Sequence, residues 1–215
     1  MHILHQVLDT ILHLDAHLNL WIAAYGSQIY VLLFMILFAE TGLVVCPFLP
    51  GDSLLFALGA LSAGENSALS IGLLLGLLPV AALLGDVTNY SVGRFFGERL
   101  FQNPNSKIFR RAYLDRTKAF YAKHGGRTIV LARFIPIVRT FAPFVAGAAG
   151  MKYPRFLLFS VSGGLAWIVS FLLAGRLFGN LPMVKTNFHL VIIGIILVSL
   201  LPVVMEWWKA RAARA

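Results

Sequence analysis

Glu40-Thr-Gly-Leu-Val-Val-Cys-Pro-Phe-Leu-Pro-Gly-Asp52 interrupts an apolar run, and its reading decides the fold. Ile29 to Cys46 is apolar except for Glu40. Pro47, Pro50 and Gly51 then end any helix, because proline lacks an amide donor and its ring clashes with the preceding turn. The next apolar piece, Ser53 to Ala63, is too short to cross a bilayer, which takes about 20 residues. Gly64 to Ser67 is a polar turn. This pattern predicts a re-entrant helical hairpin with Pro47 to Asp52 at its tip. Non-helical backbone at membrane depth survives only where protein or a watery cavity covers it.

Composition places the chain in a membrane. Of its 215 residues 59% are hydrophobic, and the mean hydropathy is +0.80. Ordinary globular domains hold about 45–50% apolar residues, and a chain this short cannot bury the excess in one aqueous core. The formal net charge of +9 points to basic loops beside anionic lipid. Nucleic acid is the rival reading of that charge, but the basic residues lie among apolar spans and no nucleic-acid motif is present. Cys46 is the only cysteine, which excludes an internal disulfide and a cysteine-based metal site. No Lys or Arg precedes the first apolar positions, which speaks against a cleaved signal peptide.

Working outward, residues 1–25 read as an amphipathic interfacial helix ended by Gly26. Asp9, His13 and His17 line one stripe of it. A metal site is the sharper reading and a solvated helix face the one adopted here. Leu69 to Gly93 reads as a spanning helix that ends at Arg94, with Gly72 and Gly76 suited to close helix packing. Residues 94–127 are the long basic segment, read as cytoplasmic with a second interfacial helix. Thr128 to Gly150 is apolar but holds Arg133, Pro136, Arg139 and Pro143. Each central arginine would cost about 2.5–3.5 kcal/mol in a lipid-facing span, so a second re-entrant hairpin is expected. Phe156 to Gly175 and Phe188 to Trp208 read as spans. Trp207 and Trp208 form an interfacial belt, followed by cytoplasmic Lys209, Arg211 and Arg214.

The expected architecture is therefore a single all-α integral membrane domain over residues 1–215. Its first half is 1–97, its second half 104–177, and a C-terminal span covers 188–208. Each half reads as interfacial helix, broken hairpin and spanning helix. One crossing per half inverts the second relative to the first and puts residues 1–25 outside the cytoplasm, a recurring transporter plan.

Four charges carry the chemistry. Ionisable residues at membrane depth are expensive and default to a functional hypothesis. Glu40 and Asp52 come from the first hairpin, Arg133 and Arg139 from the second. Structural neutralisation alone is the bland reading, since buried pairs are costly to break whatever their role. Arginine keeps its charge and offers a planar fork of donors that matches phosphate oxygens. Free amides at broken helix ends favour anions as well. Arg133 and Arg139 are thus expected to bind an anionic headgroup, while Glu40 and Asp52 exchange protons or pair with the arginines. Asp86 is either a member of this polar core or a helix-end charge, and Arg94 is an interfacial anchor. Cys46 is a small apolar residue beside the hairpin tip. There is no Walker loop, His-Glu-x-x-His motif or nucleophile elbow. A transporter without an ATP site, and not an enzyme, is expected, with no cofactor and no metal.

Three motifs point to a family: Glu40 to Asp52 as quoted, Gly85-Asp-Val-Thr-Asn-Tyr-Ser-Val-Gly-Arg94, and Arg133-Phe-Ile-Pro-Ile-Val-Arg-Thr-Phe-Ala-Pro-Phe-Val-Ala-Gly147. In this order they resemble the DedA family of bacterial inner-membrane proteins, in the VTT (SNARE-associated) superfamily, and the resemblance covers nearly the whole chain. It implies paired re-entrant hairpins, an acidic pair at Glu40 and Asp52, and an arginine pair at Arg133 and Arg139. Pro47, Pro50, Gly51, Asp86, Tyr90, Pro136, Thr140, Pro143 and Gly147 are the supporting positions.

The resemblance further implies a flippase, linked to the proton motive force, that returns undecaprenyl phosphate across the bacterial cytoplasmic membrane for envelope synthesis. The expected partners are a polyprenyl phosphate or phospholipid, protons and membrane lipids, with a homo-oligomer left open and nucleic acid excluded. The competing readings are a proton-coupled small-ion transporter, a passive phospholipid scramblase, and an envelope or division scaffold.

Overall fold

A computed structural model of the chain describes residues 14–43, 51–64, 67–100, 126–179, 181–195 and 197–198. Among these residues every regular element is a helix: α1 Leu14–Tyr25, a 3-10 turn Gly26–Gln28, α2 Ile29–Gly42, α3 Gly51–Leu61, α4 Ile71–Leu100, α5 Arg127–Ala132, α6 Pro136–Ala148, α7 Tyr153–Phe178 and α8 Pro182–Thr186. Residues 188–195 are helical too. The runs His17–Gly42, Ile71–Gly97 and Tyr153–Phe178 are long and apolar enough to cross a membrane.

Several boundaries differ from the sequence reading. Gly26 does end α1, with φ +52. Yet the whole run His17–Gly42 has the length of a span, where an interfacial helix and a hairpin arm were expected. The helix expected to end at Arg94 continues to Leu100, because Phe95 to Leu100 contains no proline and one glycine alone does not end a helix. The basic segment 101–125, the hairpin tip with Pro47 and Pro50, Asp9 and His13, and the end of the 188–208 span lie outside the described residues.

The chain forms two compact units that interleave along the sequence: the described residues of 1–34, 48–78 and 168–215, and those of 35–47 and 79–167. In the first unit α3 is buried from Gly51 to Gly59 and touches α1. It rests on the C-terminal part of α7. A Cβ on Gly59 would strike the Leu172 carbonyl, and one on Gly175 would strike the Phe56 carbonyl. Only glycine permits backbones this close. Arg176 Nη1 donates to the Ser62 carbonyl at 2.7 Å, and the rings of Phe56 and Phe188 lie 6.2 Å apart.

The second unit holds a matching joint. Here α6 rests on the C-terminal part of α4. A Cβ on Gly93 would strike the Phe144 backbone, and one on Gly147 the Tyr90 carbonyl. The sequence mirrors the geometry. Gly93-Arg94-Phe95-Phe96-Gly97 corresponds to Gly175-Arg176-Leu177-Phe178-Gly179, and Gly147-Ala148 to Gly59-Ala60. The expected packing pair Gly72 and Gly76 is not used this way among the described residues. A Cβ on Gly76 meets nothing within 4 Å, and one on Gly72 only the Ser70 hydroxyl at 3.8 Å.

Candidate functional site

The site is built around a helix break that Pro136 dictates. A residue before proline is pushed out of the helical region, and Ile135 is extended, at φ −119 and ψ 106. Upstream, Arg133, Phe134 and Ile135 close α5 with amide bonds to Val130, Leu131 and Ala132 at 3.1–3.3 Å. Pro136 then occupies the first turn of α6, where its missing amide costs nothing. Arg133 therefore sits in the break and Arg139 in the first turn of α6. Pro143, expected to help break the hairpin, lies inside α6.

Both arginines are buried, the more exposed being Arg139 at 6%. Arg139 Nη2 is ion-paired to Glu40 Oε1. Its guanidinium carbon also lies 4.7 Å from the centre of the Trp167 ring, within cation–π range. Arg133 Nη2 is ion-paired to Asp86 Oδ2. Ser160 completes this second pair: its hydroxyl donates to Asp86 and accepts from Arg133 Nη2 at 3.2 Å.

Helical spacing on α4 explains why these groups meet. Asp86, Asn89 and Gly93 fall at i, i+3 and i+7, on one face. Gly93 brings α6 against that face. Gly85 does the same for the end of α2, since a Cβ there would collide with Thr41. Asn89 ties the two members of the Glu40–Arg139 pair together through the backbone. Its Nδ2 donates to the Thr41 carbonyl at 3.3 Å and to the Thr140 carbonyl at 2.6 Å. Those threonines directly follow Glu40 and Arg139 in the chain.

The structure thus brings together Glu40, Asp86, Arg133, Arg139 and Thr140 in one buried cluster of two cations and two carboxylates. Asp86 takes the polar-core alternative of the two left open for it. Asp52 and Gly51 open α3 in the other unit and are buried there. Tyr90 faces a different set of groups. Its hydroxyl donates to the Met151 carbonyl, and its ring stacks on Phe156 at 4.3 Å. Gly147 belongs to the α4–α6 joint. Sequence reasoning assigned no role to Ser160, Trp167 or Asn89. Ser160 stands in the sequence only as one of several serines in an apolar span, with nothing that singles out its partner.

Chemically, the cluster can exchange charge. Each arginine is neutralised by a carboxylate that an incoming anion could replace, and low local dielectric makes every such exchange energetically large.

Comparison with known proteins agrees with this arrangement. Residues 49–177 match the VTT domain. Protein DedA of Escherichia coli is 55% identical over 215 residues, covering 100% of this chain and 98% of that protein. An uncharacterized membrane protein of Mycobacterium tuberculosis is 44% identical over 198 residues, 91% of this chain and 86% of that one. Inner membrane protein YqjA of Escherichia coli is 38% identical over 158 residues, 73% of this chain and 70% of that one. No solved structure matches. With a VTT domain over more than half its length and a DedA protein 55% identical along all of it, the chain is a membrane protein that belongs to the DedA family.

Proposed function

We propose that this protein is a proton-linked flippase that returns a lipid phosphate, undecaprenyl phosphate in the first instance, across the bacterial cytoplasmic membrane for envelope synthesis. The observation that carries this reading is the pair of buried arginines beside a helix break, each held by a carboxylate. Guanidinium forks bind phosphate oxygens bidentately, and the first-turn amides of α6 favour an anion in the same place. A proton taken up by Glu40 or Asp86 leaves its arginine with net positive charge for the phosphate. Loss of that proton restores the ion pair and expels the ligand. This exchange couples lipid movement to the proton gradient without ATP. Asp52, buried at the start of α3, is the further acid of the scheme.

Two matching helix joints, one in each unit, support a transporter of two inverted halves with re-entrant hairpins. The relative named an inner membrane protein supports the location. Lys209, Arg211 and Arg214 favour a cytoplasmic C-terminus.

The test is the purified protein in liposomes, with undecaprenyl phosphate followed between leaflets with and without a pH gradient. Movement that follows the gradient and is lost in Arg133→Ala and Arg139→Ala supports the flippase. Arginine-dependent movement indifferent to the gradient makes it a passive scramblase. No movement by folded protein rejects lipid transport in favour of a small-ion carrier or a scaffold.

A further inference from the structure

Beside the charged cluster, α4 and α7 line an open apolar cavity of about 170 Å³. Pro79, Val80 and Leu83 line it from α4, and Ser160, Val161 and Gly164 from α7. Among the described residues Ser160 is the only polar side chain in that lining, and its hydroxyl is already engaged by Asp86 and Arg133. Arg133 lies directly behind the lining, bonded to Ser160 and facing Gly164. A Cβ on Gly164 would sit 3.6 Å from the guanidinium carbon, so at Gly164 the wall between cation and cavity carries no side chain. At its outer edge Val80 and Leu165 are 48% and 43% exposed, on helices long and apolar enough to cross a membrane. Such side chains face hydrocarbon in a bilayer. The cavity therefore leads from the lipid side of the protein to the wall in front of a buried cation.

The size and chemistry of this space select an occupant. An apolar protein cavity of about 150 Å³ stays dry and takes benzene, so there is room here for about six carbon atoms. Water has almost nothing to bond to on these walls, and ester oxygens placed there would lose their hydrogen bonds at a cost. In a prenyl phosphate the carbons next to the phosphate are pure hydrocarbon. In phosphatidate they are a glycerol with two esters.

We propose that the cavity between α4 and α7 is a side door from the bilayer that seats the first isoprene unit of a polyprenyl phosphate while Arg133 holds its phosphate. This rests on the lipid-phosphate reading above and adds the route of access and the part of the lipid that is recognised. The site selects one-chain prenyl phosphates over phosphatidate although both carry a phosphate monoester.

The test uses the full chain in vesicles of phosphatidylethanolamine and phosphatidylglycerol. The probe is farnesyl phosphate with a diazirine on its first isoprene unit. After illumination, adducts are mapped by mass spectrometry, and leaflet movement of undecaprenyl phosphate is measured in the same vesicles. Adducts are expected on Val80, Leu83, Val161 or Leu165, with phosphatidate a poor competitor. The matching farnesol probe should label at least about tenfold less, the loss of one charge-assisted hydrogen bond. Val161→Phe fills the cavity away from the ion pairs and should cut labelling at least about tenfold, the worth of about two buried methylene groups. Gly164→Ala, whose Cβ meets only ordinary van der Waals contact, should cut it in the same direction. Adducts elsewhere, with undiminished lipid movement in both variants, would overturn the side door and leave the flippase reading standing. Equal labelling by farnesol would overturn the link to Arg133. Absence of both adducts and movement would remove the inference together with the reading beneath it.

Discussion

In one unit α3 lies on α7 through Gly59 and Gly175; in the other α6 lies on α4 through Gly147 and Gly93. The joints share their glycines, the following alanines and an arginine beside each. Their surroundings differ. Among the described residues of the first unit the one buried charge is Asp52, whereas the second buries Glu40, Asp86, Arg133 and Arg139. The glycine joint supplies position, and it does so equally in both units. Charge was added to one of them, at a desolvation cost that a purely structural core avoids by using apolar residues. That asymmetry is why the second unit is the place to look for chemistry.

The comparison breaks most readily at the ion pairs. Glu40→Ala strands Arg139 in the interior and should cost about 3–5 kcal/mol, read as thermal unfolding in detergent. A cost under about 1 kcal/mol would mean that the pair contributes no more than an exposed one. Ser160→Ala removes a donor to Asp86 and an acceptor for Arg133, and should cost about 1.5–3 kcal/mol in the same assay. Gly93→Ala and Gly175→Ala each force a Cβ into backbone, and each should cost about 1–3 kcal/mol. Equal losses would uphold the equivalence of the two joints, and a large loss in only one would end it. The smallest effect is expected outside both joints. Gly76→Ala adds a methyl where nothing lies within 4 Å and should stabilise α4 by up to about 1 kcal/mol. Destabilisation there would reveal a packing partner for α4.

The sequence carried the classes of residue better than their partners. Arginines and carboxylates in apolar runs are conspicuous because lipid penalises them, and Pro136 announces a helix break through the residue before it. Both features were legible. Which acid meets which arginine was not, because that depends on how α4 rotates against α5 and α6. Asp86 faces Arg133, a role that spacing along the chain could not separate from a helix-end charge. Ser160 and Trp167 were hidden for a related reason. A serine or tryptophan in an apolar span is unremarkable until a neighbour brings a guanidinium to it. The packing glycines show a third limit. Gly72 and Gly76 satisfy the small-residue spacing yet meet no neighbouring helix among the described residues, whereas Gly93 and Gly97 with the same spacing carry the joint. Spacing identifies helices able to pack closely, and the partner surface decides where they do.

The central claim is that Arg139 acts on a phosphate from its own place in α6 and is not merely half of a structural pair. The most direct test exchanges the partners in Glu40→Arg/Arg139→Glu and measures folding and undecaprenyl phosphate movement in the same preparation. The account predicts that the exchanged pair recovers most of the stability lost by Glu40→Ala, while lipid movement stays absent because the cation has left the first turn of α6. Stability and lipid movement recovered together would contradict it, and would reduce the buried pair to a structural neutralisation.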